Sequence, residues 1–322
     1  MNAYENSQKF ICGVVYPDGS GALAGYFDNS DEDEFMTRQG FYKLTEHIWS
    51  LWDDTEARVT SLCSPANLPE KIFWLTEEGQ VGRTFNYEES MYEGIPDAGV
   101  HGERAKGYGY LNRLRYLYGS LYAIGNSGQV YQRVAEDQWQ HMDKGMLQSP
   151  ITPDRPISKM IDLNDIGGAA SNDLYVCGDF RNLFHWDGRI WSKIPLPDTL
   201  GHLQEICALS TDEIYICGYN GCLLKGNAIK GFKDVGSEDI NAHFLSVHQF
   251  NGHLFLASVE GLYVYDGETV QPYTTGLLPE LQDAHMLDSA DGVLWSFGYK
   301  DLAYFNGKTW TRVDHPDNPP IR

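Results

Sequence analysis

Positive charge is what this sequence has least of. Its 24 lysines and arginines face 45 aspartates and glutamates, for a formal charge of −21. A field of that sign repels phosphate backbones and anionic membranes and attracts cationic partners. The expectation is therefore no nucleic acid and no membrane as partner. Cysteine is scarce as well: Cys12, Cys63, Cys177, Cys207, Cys217 and Cys222 form no C-x-x-C pair, which argues against a disulfide framework and a structural metal. They read instead as small buried thiols in a reducing compartment. No window approaches the roughly 18 apolar residues that span a bilayer, and the stretch MNAYENSQKF has no basic flank leading into an apolar run, so no export signal is read there. A cytoplasmic protein, monomeric when free, is expected.

Catalytic signatures are missing too. There is no Walker A loop, no G-x-S-x-G elbow and no H-E-x-x-H helix, each of which places its groups by a fixed local geometry. His243, His248 and His253 recur every five residues, a spacing that alternating strands and turns do not bring together as a metal site. The sequence predicts no cofactor, no metal and no enzyme.

What the chain does have is a repeat. The apolar residue opening a short strand recurs at Leu174 (LYVCG), Ile214 (IYICG), Leu254 (LFLAS) and Leu294 (LWSFG), forty residues apart each time, with looser copies at Leu121 and Ile72. A fixed period near forty with several short strands per unit is the signature of a β-propeller blade. Each unit then offers a strand such as LFHWD, LYVYD or LAYFN and a turn at Asp187-Gly188, Asp266-Gly267 or Asn306-Gly307, read as two-residue hairpin turns with positive φ at both positions. A last strand follows, carrying Trp191 or Trp310, whose bulk suits packing between sheets. The prediction is an all-β, seven-bladed β-propeller with four antiparallel strands per blade, six blades being the second choice. It forms one domain over 1–322, with blades near 8–55, 57–92, 108–143, 160–197, 202–236, 242–275 and 284–315.

The pattern LYVCGDFRNLFHWDGRIWSKI, echoed by LWSFGYKDLAYFNGKTWTRV, resembles the degenerate propeller repeats of bacterial proteins, in which a hydrophobic-Tyr-Val-x-Gly strand leads to a D-G-x-x-W hairpin. It lacks the Gly-His blade heads of WD40 repeats and the Ser of the Asp-box. Propellers of this look, with neither export signal nor enzyme motif, resemble immunity proteins encoded beside polymorphic toxins, including those of type VI and contact-dependent systems. The resemblance implies a non-enzymatic protein that binds and occludes a basic toxin or effector domain.

A propeller is a support, so the site must be argued from residues. The tips between second and third strands are expected on one face, which places there Glu77 and Glu78, Asn126, Phe180 and Arg181, Tyr219 and Asn220, Glu260, and Tyr299, Lys300 and Asp301. The acidic run Asp31, Glu32, Asp33 and Glu34 falls at the equivalent tip of the first blade. Aromatic anchors among carboxylates suit a protein-binding surface. Arg104, Lys106, Arg113 and Arg115 alternate with Tyr108, Tyr110 and Tyr116, a pattern able to stack on single-stranded nucleic acid. Against the overall charge, these cations are expected to pair with nearby carboxylates instead. An enzyme or carbohydrate-binding protein using the channel mouth, and an interaction scaffold, are the alternative readings.

Overall fold

The computed structural model describes residues 7–28, 36–68, 71–85, 90–197, 201–237 and 239–322. Seven sheets of four antiparallel strands succeed one another, covering 8–55, 59–94, 111–141, 163–193, 203–234, 246–273 and 286–312. In every sheet the strand order is the chain order, so each blade is a simple meander and the chain is a seven-bladed β-propeller. The first and last strands belong to different blades. Among the described residues helix is confined to three 3₁₀ turns, Asn126–Gly128, Ile157–Lys159 and Asp179–Arg181.

The repeat is carried by the second strands, among them Asp173–Gly178, Glu213–Gly218 and His253–Ser258. After its first residue each is buried without interruption, on both of its faces. That double burial explains why the strand reads as a continuous apolar run rather than an alternation.

The turns after the third strand differ from expectation. Trp186 pairs with Trp191, Tyr265 with Val270 and Phe305 with Trp310, leaving four residues in each loop. Asp187 Oδ1 accepts the N–H groups of Arg189 and Ile190, and Asp266 and Asn306 cap the two corresponding donors in their loops. With the side chain bridging the turn, only Gly188, Gly267 and Gly307 take positive φ. The D-G and N-G pairs thus mark Asx-capped loops. Asn227 does the same for Ile229 and Lys230 in blade 5, where no D-G or N-G pair announces it.

By contact density the chain divides into two compact units, Met1–Trp74, Arg83–Met91 and His248–Arg322 forming the first, Leu75–Gly82 and Tyr92–Val247 the second. In the first, blade 7 docks on blade 1. Trp295 and Phe297 stack at 5.5 Å in a cluster with Phe10, Leu23 and Tyr304. The approach is so close that a Cβ on Gly13 would stand 2.4 Å from the Phe297 ring, which is why glycine occupies that strand position. Gln8 donates its N–H to Asn318 Oδ1 and accepts Asn318 Nδ2 on its carbonyl, at 2.7 and 2.9 Å. In the second unit Leu163, Ile166, Leu174 and Val176 pack with Tyr122 and Val130, and Leu203, Ile206, Ile214 and Ile216 with Tyr175 and Leu183. Each such side chain contributes about 1.5–3 kcal/mol of transfer free energy.

Two devices join consecutive blades in both units. An aromatic residue of a fourth strand reaches back: Trp191 Nε1 donates to the Met142 carbonyl, Trp310 Nε1 to Tyr273 Oη and Trp49 Nε1 to the Asp314 carbonyl. A first-strand carboxylate reaches forward: Asp165 accepts the Ile206 N–H, Glu205 the Val247 N–H and Asp288 the Val15 N–H, at 2.9, 2.9 and 2.7 Å.

Candidate partner-binding site

The tips fall where the end of a second strand meets a connection between blades. In the second unit Leu111 donates its N–H to the Glu77 carbonyl, Asp179 to Asp162 and Tyr219 to His202, at 2.9, 2.9 and 3.0 Å. These backbone bonds set tip and connection side by side, and the side chains meet there.

Glu78 accepts the N–H groups of Val100 and His101 at 2.8 and 3.0 Å and contacts the His101 ring at 2.9 Å. Partial burial pushes its carboxyl up, but the His101 and Val100 contacts outweigh burial and leave it below the ordinary value. Phe180, Tyr219 and their neighbours form a row. Phe180 lies 5.0 Å from His202, His202 lies 5.2 Å from Tyr219, and Tyr219 stacks on His243 at 4.2 Å. Asn220 donates its N–H to His243 Nδ1. Phe180 and Asn220 keep positive φ, 53° and 60°, the bend that turns each tip. Arg181 donates to the Pro197 carbonyl at 3.3 Å, and Phe180 and Arg181 line a shallow cleft of about 420 Å³ with Lys193 and Leu196.

In the first unit Tyr299 is held between the His285 ring, stacked at 4.3 Å, and the Lys9 ammonium, 4.5 Å from its centroid. Lys300 pairs with Asp28. Asp301 is not at the surface: it is 2% exposed and takes a two-pronged contact from Arg312, at 2.7 and 2.9 Å. Glu260 is exposed and folds back on Ser258. Asp31, Glu32, Asp33 and Glu34 lie outside the described residues.

Of the basic, tyrosine-rich segment Arg113 and Arg115 turn inward, whereas Arg104 and Lys106 are exposed. Arg113 and Arg115 both reach Asp165 and Glu205, Arg115 at 2.9 and 3.0 Å to Asp165 and 2.6 Å to Glu205. Glu205 also accepts Ser246 Oγ and the Val247 N–H. Burial pushes the Asp165 carboxyl up, yet the two guanidinium charges prevail and hold it below its ordinary value. These arginines are consumed by the carboxylates of neighbouring first strands.

The residues that reading the sequence missed are the connection histidines. His202, His243 and His285 each follow a small residue and precede an apolar one, in GHL, AHF and AHM, at intervals of 41 and 42. That blade phase was the available signal. The five-residue spacing of His243, His248 and His253 proves incidental, since His243 stacks on Tyr219, His248 bonds Ser289 and His253 lies against Phe255. Among the described residues no group of three or more His, Cys, Asp or Glu is placed to hold a metal ion, and no helix is long and apolar enough to cross a membrane.

No protein-family model matches the chain. It is 29% identical over 248 residues, 76% of each sequence, to the immune protein Tsi7 of Pseudomonas aeruginosa. Among solved structures it is similar to the WD40 β-propeller domain of Doa1, with a TM-score of 0.63 and 9% identity over 93% of this chain and 92% of that one. A second is virginiamycin B lyase from Staphylococcus aureus, with a TM-score of 0.62 and 9% identity over 81% and 85%. At such identities the structural likeness speaks for the fold alone. The chain thus resembles a propeller-type immunity protein in both respects, an immune-protein relative and seven blades.

Proposed function

We propose that this protein is a cytoplasmic immunity protein that binds a bacterial toxin and blocks it by occlusion, with no catalytic step of its own. The observation that carries this reading is the similarity to an immune protein along three quarters of both chains. Two features support it. In the second unit backbone hydrogen bonds hold the tip residues against the connections between blades, the pre-organisation that protein recognition rewards. The charge of −21 favours rapid capture of a basic toxin domain, since complementary fields act mainly on the association rate.

The test is neutralisation. The tagged full chain is used to capture proteins from native lysate, and each stoichiometric partner is expressed alone and with this chain. A partner that arrests growth alone and is silenced by one equivalent of this protein supports the proposal. Partners harmless to the cell, or turnover of a small molecule by the purified chain, would overturn it. Within this reading, reversing the charges of Asp31, Glu32, Asp33 and Glu34 slows association by about tenfold at low salt and flattens its salt dependence; an unchanged association rate removes that run from the interface.

A further inference from the structure

The tips of blades 4 and 5 carry carboxylates that, among the described residues, no lysine or arginine contacts directly. Asp162 accepts Asn126 Nδ2, and Asp179 accepts Asn164 Nδ2 and contacts His202 Nδ1, each at 2.9 Å. Among the described residues neither forms an ion pair with lysine or arginine. The nearby guanidinium groups are otherwise engaged: Arg155 donates to the Ser149 and Pro150 carbonyls, and Arg181 to that of Pro197. Amides satisfy a carboxylate's lone pairs but leave its charge. The Asp162 carboxyl is pushed up chiefly by burial, opposed by Asn126 and the Ser127 N–H, with the charge of Asp179 adding to the rise and that of Arg155, which makes no ion pair with it, partly offsetting it. Beside this negative pair runs the ring row, ending at the exposed His243.

The first unit shows what such a tip does with a positive group. Tyr299, stacked on His285 as Tyr219 is on His243, carries the Lys9 ammonium 4.5 Å from its ring centroid, and the buried carboxylate beside it, Asp301, is closed by Arg312. A ring face and a carboxylate together suit a cation better than either alone, because desolvating the charge strengthens both contacts.

We propose that the row formed by Asp162, Asp179, Phe180, His202, Tyr219 and His243 is a docking surface for an arginine- or lysine-bearing segment of a protein partner. This rests on the toxin-binding reading and deepens it by naming where the partner's positive charge lands. The carboxylates take the cation, and the rings line its path.

A fluorescent hexa-arginine peptide, titrated into the full chain at physiological salt and followed by anisotropy, tests the row without needing the natural partner. Asp179→Asn, which keeps the shape of the side chain, is expected to weaken binding about tenfold, the loss of one charge-assisted contact. Tyr219→Leu is expected to weaken it about threefold through the lost ring face. Asp291→Asn removes the same charge from an exposed turn of blade 7 and stays within about twofold of the native chain. Thermal melts confirm folding, and Tyr219→Leu carries the test should Asp179→Asn unfold. Equal effects of Asp179→Asn and Asp291→Asn, or none from any variant, would mean that the peptide feels only the overall field, and the row is retired. If that chain still neutralises a toxin, the functional reading survives without this surface; a site-selective chain with no toxic partner gives the converse.

Discussion

The tip of blade 7 and the tips of blades 4 and 5 use the same parts to opposite ends. Both set a tyrosine against a connection histidine, at 4.3 Å for Tyr299 and His285 and 4.2 Å for Tyr219 and His243. Both place a carboxylate pair nearby in which one member is pushed up by burial and by its neighbour's charge, Asp283 beside Asp301 and Asp162 beside Asp179. In blade 7 the chain then closes the account itself, with Arg312 on Asp301, Lys300 on Asp28 and Lys9 over Tyr299. In blades 4 and 5 it supplies amides and an imidazole in contact, with the charge of Arg155 acting on Asp162 without an ion pair. The first tip closes Asp301 with a guanidinium and leaves Asp283 to backbone N–H groups, whereas at the second no carboxylate of the pair is, among the described residues, in contact with a lysine or arginine.

The comparison breaks most severely at Arg312. Arg312→Leu strands Asp301, 2% exposed, beside Asp283, and removing one partner of a buried pair costs about 3–5 kcal/mol. Urea unfolding should show it; a loss below about 1 kcal/mol would mean that blade 7 tolerates the charge as blades 4 and 5 do.

Next in size is a pH effect confined to the first unit. His315, between Phe10 and Trp49, is lowered to about 4 from its ordinary 6.5, chiefly by burial, with Asp317 opposing and Arg38 assisting. The unfolded chain binds that proton near pH 6.5 and the folded one only near 4, so stability falls as pH drops through this window, by up to about 3 kcal/mol. His315→Gln removes that share of the slope, read as the difference in unfolding free energy between pH 7 and pH 4.5; parallel losses in both proteins would assign the acid limb to carboxylates alone.

Asn164→Ala sharpens the contrast on the other side. It takes an amide from both Asp179 and the Leu203 carbonyl and should cost about 1–2 kcal/mol in thermal unfolding. No loss would show that His202 and water suffice there. Smallest is Lys300→Gln: its pair with Asp28 is exposed, worth about 0.5 kcal/mol at most, and a larger shift on a melting curve would make that contact part of the tip's structure.

The blades were legible in the sequence because their second strands are buried on both faces. Leu174, Ile214, Leu254 and Leu294 therefore keep both phase and polarity through forty-residue steps. The turns misled for a local reason: Asp187, Asp266 and Asn306 act through side-chain bonds to the backbone, which composition shows only as a D-G or N-G pair. The candidate site was half visible. Phe180 and Tyr219 could be placed on tips from the strand register, but the histidines that join them lie in connections where no strand periodicity applies. Asp301 illustrates the other limit. Its neighbour Lys300 is exposed and Asp301 is buried, a change of face over one residue that depends on where Arg312 of the next strand but one arrives.

The clasp between Gln8 and Asn318 has a consequence for engineering. Because every sheet is built from consecutive strands and none is shared between the two ends of the chain, the connectivity can be cut anew without dividing a blade. A permuted gene that joins residue 318 to residue 8 through a short linker and opens the exposed connection at Pro153 and Asp154 would encode the same seven meanders in a different order of synthesis. Blade 4 would then emerge from the ribosome first and blade 3 last. That leaves the contacts within each blade's meander largely in place and shifts the burden of joining the chain's ends from one side-chain amide, that of Asn318 on the Gln8 backbone, to a covalent bond.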